Sequence, residues 1–442
     1  MAATRPRPAD ALSLGIDLGT SGCRAALLDA HGHVQAFART DLPPAHQAGP
    51  LSEQDPHHWW QALCATTHAL LTQLTSAPRI EALCVDGTSG SVLAVDGAGE
   101  PLGPALMYDD QRAREEAQRL ATVLAAAGQT DSPSSGAGSG LARILWLRAR
   151  YPDAAHFLHQ ADWLTGRLMG DYGHSDENNA LKSGYDPVAR RWPDWLAELA
   201  LPESQLPRVH PPGTRIGRLS AEAARATGLP AGLPVAAGTT DSTAAFLATG
   251  AHRPGEAVTS LGSTLVLKVL AERPVVNKAY GVYSQRLGDL WLVGGASNSG
   301  GAVLRAFFSD ADMARLTPQL DADTPTGLDY YPLHRPGERF PFNDPELAPR
   351  LAPRPADDAR FFQGLLEGLA QIEYTGYRRL AELGAPWPVN LRTVGGGSRN
   401  PAWTRIRQRL LGVPFVTAEH DEAACGAARL AQRALTTNNN NG

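Results

Sequence analysis

The sequence predicts an α/β protein of two related lobes rather than one doubly wound sheet, on three observations. Its 442 residues suit two or three domains of ordinary size. Strand-like and helix-like segments alternate, and the pattern restarts near residues 230–240. A strand hairpin carrying a Gly-Thr/Ser turn occurs in each half, at Gly19-Thr20-Ser21-Gly22 and at Gly262-Ser263-Thr264. The expected lobes are residues 1–235 and 236–435, followed by a disordered polar tail at 436–442.

Residues 12–18, 23–29 and 33–42 read as three successive strands joined by tight turns. A helix starts at Asp55-Pro56, an N-cap followed by proline at the first helical position, and Trp60, Leu63, Leu70 and Leu74 mark its apolar face. A strand follows at 80–86, then a hairpin turning at Asp96-Gly97. Residues 127–140 are small and polar, a flexible loop, while 141–150 and 156–169 read as helices and 182–195 as irregular. In the second half VAAGTTD ends a strand, EAVTSLGSTLVLKVL reads strand–turn–strand, and LWLVGGA is a further strand. A long helix is expected over 357–383, and LRTVGGGSRNPAW reads as a strand, a glycine turn and a helix.

Apolar residues make up 43% and charged residues 19%, which permits large cores and excludes general disorder. A formal charge of −5 argues against nucleic acid as the main partner, yet leaves room for an anionic ligand bound by main-chain N–H groups. Cys23, Cys64, Cys84 and Cys425 are scattered without a CxxC pair, so buried reduced thiols in a cytoplasmic protein are expected. The opening MAATRPRPAD lacks the apolar run of a secretion signal, and no stretch is long and apolar enough to span a bilayer. The pairs His31/His33 and His57/His58 lack metal-ligand spacing and read as solvated.

Four constellations could carry chemistry. In Gly15-Ile16-Asp17-Leu18-Gly19-Thr20-Ser21-Gly22 a carboxylate at a strand end faces a turn rich in N–H groups and hydroxyls. Such a turn can cradle phosphate oxygens, and Asp17 can hold Mg²⁺; the plainer alternative is an ordinary hairpin. In Ala237-Gly238-Thr239-Thr240-Asp241-Ser242, Asp241 sits between a strand and a small-residue helix, which suits a base accepting a proton from a sugar hydroxyl or, more plainly, an N-cap. Gly395-Gly396-Gly397-Ser398-Arg399-Asn400-Pro401-Ala402-Trp403 offers a turn free of side chains on which a base or ribose could lie; otherwise it is a helix entry with Trp403 in the core. In Asp86-Gly87-Thr88-Ser89-Gly90-Ser91 short hydroxyls beside a strand end could bond a polyol or simply make a turn. The segment Tyr108–Arg112 offers further polar contacts, with Asp110 and Arg112 either touching substrate or forming a structural ion pair. The chain has no Gly-Lys dipeptide, hence no GxxxxGK[ST] loop, and no GxGxxG after a strand, so ATP would need another cradle.

In this order and spacing, GIDLGTSG, the strand–Asp241–helix unit, SLGST, GGGSRNPAW and EAACGAA make the chain resemble the FGGY carbohydrate kinases of the actin, hexokinase and heat-shock ATPase superfamily, from about Leu12 to Leu430. The resemblance implies two actin-like (ribonuclease H-like) lobes of βββαβαβα type, with ATP and sugar meeting in the cleft between them. It implies Asp241 as catalytic base, Asp17 as organiser of Mg²⁺, and Thr20, Ser21 and Gly22 beside phosphate. Gly262 and Thr264 would line the second phosphate turn, and Gly396, Gly397, Asn400 and Trp403 would hold adenosine. Ser89, Asp241, Gly22 and Asp110 would face the sugar. Xylulose kinases usually carry Gln-Met-His-Gly where this chain has Asp-Gly-Thr-Ser-Gly, and glycerol kinases an Arg-Glu segment. VDGTSGSVLAVD, ALMYDDQRA and NALKSGYD look instead like the compact cyanobacterial and plant D-ribulose kinases, in which a serine matching Ser89 contacts sugar. Gly140 and Arg143 depart from the family's Ser/Thr/Pro and Lys, a change expected to lie away from the chemistry. The expectation is therefore a cytoplasmic MgATP-dependent D-ribulose kinase, monomer or homodimer, whose partners are a small sugar and ATP, with no nucleic acid and no membrane. Kinases of xylulose, ribitol or erythrulose, and a non-catalytic nucleotide and sugar sensor, are the alternatives.

Overall fold

The computed structural model describes residues 11–74, 79–136, 138–201 and 203–436. All but the first residue of the expected disordered tail lies outside the described residues. The chain divides into two compact units. The first holds the described residues up to Ala248, Arg286–Gly288 and those from Glu422 onward; the second holds Thr249–Gln285 and Asp289–Asp421.

The first unit is built on a six-stranded sheet in the order Arg215–Arg218, Pro234–Thr240, Arg79–Gly87, Ala11–Leu18, Gly22–Leu28, Val34–Asp41. Tight turns make the last three antiparallel, whereas Ala11–Leu18, Arg79–Gly87 and Pro234–Thr240 run parallel. These central strands are mostly apolar and buried along nearly their whole length because helices cover both faces. Helix Pro56–Leu71 starts where Asp55 caps it, its side chain accepting from His57 N at 2.9 Å, and it buries Trp59, Leu63 and Leu70.

Helices Asp241–Ala248 and Ala423–Thr436 pack in this first unit, although the division expected after residue 235 put them with the second. The cause is contact between main chains. A methyl group on Gly15 would lie 1.9 Å from Ala424 O, and one on Gly426 would lie 1.8 Å from Ala244 O. The run Ala423-Ala424-Cys425-Gly426-Ala427-Ala428 is small for that reason.

Two local expectations are corrected. Residues 156–169 are not one helix, because His156–His159 pairs antiparallel with Val92–Val95 and the helix Gln160–Met169 follows. Backbone pairing with a ready edge overrides the helical periodicity there. The turn at Asp96 forms, but the chain beyond it makes only an isolated bridge from Pro101 to Val95 and a two-residue strand, Ala105–Leu106.

The second unit carries a five-stranded sheet in the order Tyr283–Leu287, Leu290–Ala296, Leu265–Ala271, Glu256–Leu261, Asn390–Val394. Helix Asp358–Glu382, capped by Asp357, packs against it so closely that a methyl on Gly376 would lie 2.3 Å from Leu267 Cδ1. The four cysteines are free, and no helix among the described residues is long and apolar enough to cross a membrane.

Gly426→Ala should lower the stability of the first unit by about 1–3 kcal/mol, since neither backbone can give way freely. Urea or thermal denaturation checks this, and an unchanged Tm would show that the helix is not seated on main chain.

Candidate active site

In the first unit, parallel register sets Asp17 opposite Asp86, and Asp86 opposite Thr239, two residues before Asp241. Three carboxylates thus come from the ends of three adjacent strands. Arg24 Nη1 donates to Asp17 Oδ2 at 3.1 Å. Asp17 Oδ1 and both oxygens of Asp86 are buried and have no donor in the structure. Burial first, and then the charge of Asp17, push the Asp86 carboxyl well above the ordinary range; Asp241 adds to this and Arg24 opposes it. A proton held by Asp86 supplies the donor that two adjacent carboxylates would otherwise lack.

Asp241 opens the helix Asp241–Ala248 and is half-buried; its Oδ1 accepts from Ser242 N at 2.6 Å. Gln54 Nε2 donates to Thr20 O at 2.9 Å, Leu42 N donates to Ser21 O at 2.9 Å, and Gly19 N donates to Gly22 O at 3.0 Å, which closes the turn. Gly22 has a packing reason as well, since a methyl there would lie 2.8 Å from Thr40 O on the next strand. The Tyr108 hydroxyl is raised by burial and by Asp109 and Asp241, and a hydrogen bond with Thr20 opposes this, so Tyr108 stands beside both Thr20 and Asp241.

At the 86–91 turn, Thr88 N and Oγ1 both donate to Gln160 Oε1 at 2.8 Å, and Thr88 Oγ1 lies 2.7 Å from Ser91 Oγ. Ser89 Oγ is buried and has no hydrogen-bond partner in the structure. Asp110, by contrast, is withdrawn from the sugar-facing set. It is fully buried, accepts from Ser52 N at 2.8 Å, and forms a bidentate ion pair with Arg112, which also reaches Glu53 Oε1 at 2.6 Å. Arg143, expected away from the chemistry, donates to Gly90 O at 2.8 Å, directly behind this turn. Asp86 and Tyr108 stand in segments that the sequence marks out, but neither was given a role of its own there. The only signal for Asp86 was its place at a strand end level with Asp17, which becomes informative once the register is known.

In the second unit, a cavity of about 610 Å³ is walled by Gly262, Gly396, Gly397, Asn400 and Trp403, with Arg305 and Arg399 adding cations. Thr264 is not part of that wall; the main chain at 263–264 packs on Gly300, where a methyl would lie 2.6 Å from Ser263 O. Gly395 has φ +85° and would, with a side chain, run into Leu261 O at 2.8 Å. Asn400 Oδ1 caps the helix Pro401–Leu411 by accepting from Trp403 N at 2.9 Å, and its Nδ2 donates to Thr317 Oγ1 at 3.0 Å. Trp403 is almost wholly buried, and a methyl on Gly397 would lie 2.4 Å from its ring. The triple glycine thus packs on a core tryptophan and also leaves a stretch of cavity wall free of side chains.

One buried carboxylate ties the walls of this cavity together. Glu373 accepts from Thr259 Oγ1 at 2.5 Å and from Arg407 Nε and Nη2 at 2.6 and 2.7 Å, while Arg407 Nη1 donates to Thr393 Oγ1 at 3.0 Å. The strands before the Gly262 and Gly395 turns and the helix after Asn400 are thereby held by one fully buried pair.

Residues 12–248 match the N-terminal domain, and residues 257–435 the C-terminal domain, of the FGGY family of carbohydrate kinases. The xylulose kinase of Streptomyces coelicolor is 31% identical over 96% of this chain and 88% of its own. That of Escherichia coli K12 is 27% identical over 95% of this chain and 89% of its own. A crystal structure of a xylulose kinase from Brucella ovis, 28% identical, superimposes with a TM-score of 0.86 over 96% of this chain and 91% of that one.

Asp86 carries a folded pKa raised above its unfolded value of about 4, so the native state holds this proton more tightly. Its stabilising share is complete below that pH and is lost as pH rises towards the folded value. Asp86→Asn removes the titration, and its Tm advantage over the parent should grow from acid towards neutral pH; an advantage that shrinks would reverse the assignment. Glu373→Ala strands the Arg407 charge in the core and should cost about 3–5 kcal/mol in denaturant titrations. Unaltered stability would show that the ion pair does not hold the cavity walls.

Proposed function

This chain belongs to the FGGY family of carbohydrate kinases, and from that premise we propose that it phosphorylates the primary hydroxyl of a ketopentose, D-ribulose, giving D-ribulose 5-phosphate from MgATP. The choice of D-ribulose rests on the likeness of VDGTSGSVLAVD, ALMYDDQRA and NALKSGYD to the D-ribulose kinases. What supports a sugar at the Asp86–Ser91 turn is the Ser89 hydroxyl, left without a partner while Thr88 and Ser91 are bonded to each other. A buried hydroxyl aimed at no protein group is matched by a polyol hydroxyl, which can both donate and accept. A second reading, D-xylulose, is favoured by the names of the similar kinases from Escherichia coli and Streptomyces coelicolor; the two sugars differ only in the configuration at C3.

In this reading Asp241 accepts the proton of the primary hydroxyl as its oxygen attacks the γ-phosphorus, the bond from γ-phosphorus to the bridging oxygen breaks, and ADP leaves. The Thr20–Ser21–Gly22 turn presents main-chain N–H groups and hydroxyls to phosphate oxygens. Asp17 fits a magnesium ion, because its Oδ1 is buried without a donor while Oδ2 is neutralised by Arg24. Magnesium would offset the charge of the phosphates during transfer. In the second unit, Gly262, Thr264, Gly396, Gly397, Asn400 and Trp403 are assigned to the nucleotide, with the cavity taking its adenosine end and Thr264 acting from the neighbouring turn.

Asp241→Ala should reduce phosphorylation at least about 100-fold while the nucleotide still binds by calorimetry. Full activity in this variant would remove the proposed base. ADP release measured over D-ribulose, D-xylulose, ribitol and erythrulose should give D-ribulose the highest kcat/KM. A higher value for D-xylulose replaces the proposed substrate, and ATP binding without turnover of any pentulose would favour a non-catalytic sensor.

A further inference from the structure

Arg143 lies in the first turn of the helix Gly140–Arg150 and is fully buried. Its guanidinium makes no ion pair in the structure. Nη1 donates to Tyr108 O at 3.1 Å and Asp110 O at 3.0 Å, and Nη2 donates to Gly90 O at 2.8 Å and Gly138 O at 3.1 Å. Nε has no partner. Asp110 lies close enough to favour the charge, but its oxygens are already committed to Arg112 and Ser52. Burial lowers the Arg143 pKa to about 10, so the group remains a cation at neutral pH.

Such a placement is costly. A buried charge without an ionic partner is disfavoured by several kcal/mol, and the first turn of a helix is where the dipole opposes a cation. An apolar side chain of similar volume would fill the same space without that cost. What it could not do is bind four carbonyls on three separate segments. One of those segments carries Ser89, another carries Tyr108, and Ser91 Oγ ties the same two by accepting from Tyr108 N at 3.1 Å. Gly90 has φ +88°, and a methyl there would already press on Arg143 Nη2 at 3.1 Å.

We propose that Arg143 is a positioning residue for the sugar: its planar fork clamps the main chains at Gly90, Tyr108–Asp110 and Gly138, and so fixes the spacing between Ser89 and Tyr108. The proposal rests on the reading that the sugar occupies this turn. In this chain arginine suits the clamp because its donors lie in one rigid plane, whereas a lysine ammonium, the family's usual residue here, offers three donors from one point and cannot bond all four carbonyls at once. Gly140 starts the same helix, and a methyl there would lie a tight 3.1 Å from Lys182 O.

The test compares Arg143→Lys with Ser89→Ala, using D-ribulose or whichever pentulose the panel shows to be turned over fastest. Arg143→Lys should keep its far-UV spectrum, raise the KM for sugar by about tenfold, and leave the KM for ATP and the nucleotide-induced thermal shift within about twofold. A sugar KM equal to the parent's, or equal rises for sugar and ATP, overturns the proposal. If Arg143→Lys does not fold, Arg143→Gln, which keeps amide donors without the buried charge, takes its place. Failure of both to fold overturns the proposal in favour of a role in stability alone. Ser89→Ala separates the two levels: an unchanged sugar KM there removes the sugar from this turn, whereas a raised one beside a normal Arg143→Lys refutes the clamp only.

Discussion

Parallel pairing of Ala11–Leu18, Arg79–Gly87 and Pro234–Thr240 is the constraint on which the first unit's chemistry depends. Register makes the carboxyl ends of these strands level, so Asp17, Asp86 and the start of the Asp241 helix are brought together by backbone hydrogen bonds before any side chain chooses a partner. Like charges so placed cannot all remain ionised in a dry site. Arg24 answers for Asp17, a proton answers for Asp86, and Asp241, the least buried of the three, opens a helix and accepts from Ser242 N.

The second unit meets the problem of buried charge differently. Glu373 and Arg407 neutralise each other through two parallel hydrogen bonds, and the same pair bonds the hydroxyls of Thr259 and Thr393. The result is stiffness in the strands that deliver the two glycine turns, while the cavity they line stays free of this network. Arg143 shows a third solution, with main-chain carbonyls standing in for a carboxylate. In each case a buried charge is kept where it ties separate stretches of backbone together.

Much of this was legible in residue order. The N-caps Asp55 and Asn400, the antiparallel hairpins near the start and the long helix expected over 357–383 all rest on local rules, and each forms within a residue of where those rules put it. Local rules failed where a distant segment decided the outcome. The 156–159 run has helical periodicity, yet Val92–Val95 offered it a strand partner. Asp110 had the chemistry of a sugar ligand until Arg112 and Ser52 N took its oxygens. Trp403 could be placed from sequence either in the core or beside a ligand; Gly397 lets its ring pack into the core while one edge still lines the cavity.

By itself the sequence determined the two-part α/β plan, the glycine and hydroxyl turns, the small-residue helix near its end and the candidate base at Asp241. Each of these is written in short-range features, namely periodicity, capping residues and the absence of side chains. Only the tertiary structure decided that Asp86 belongs with Asp17, that Ser89 is left unpartnered while Thr88 is not, and that Arg143 lies behind the loops of Gly90 and Tyr108. Those facts depend on which strands lie side by side and on which donors have already been spent, and neither is encoded within any one stretch of chain.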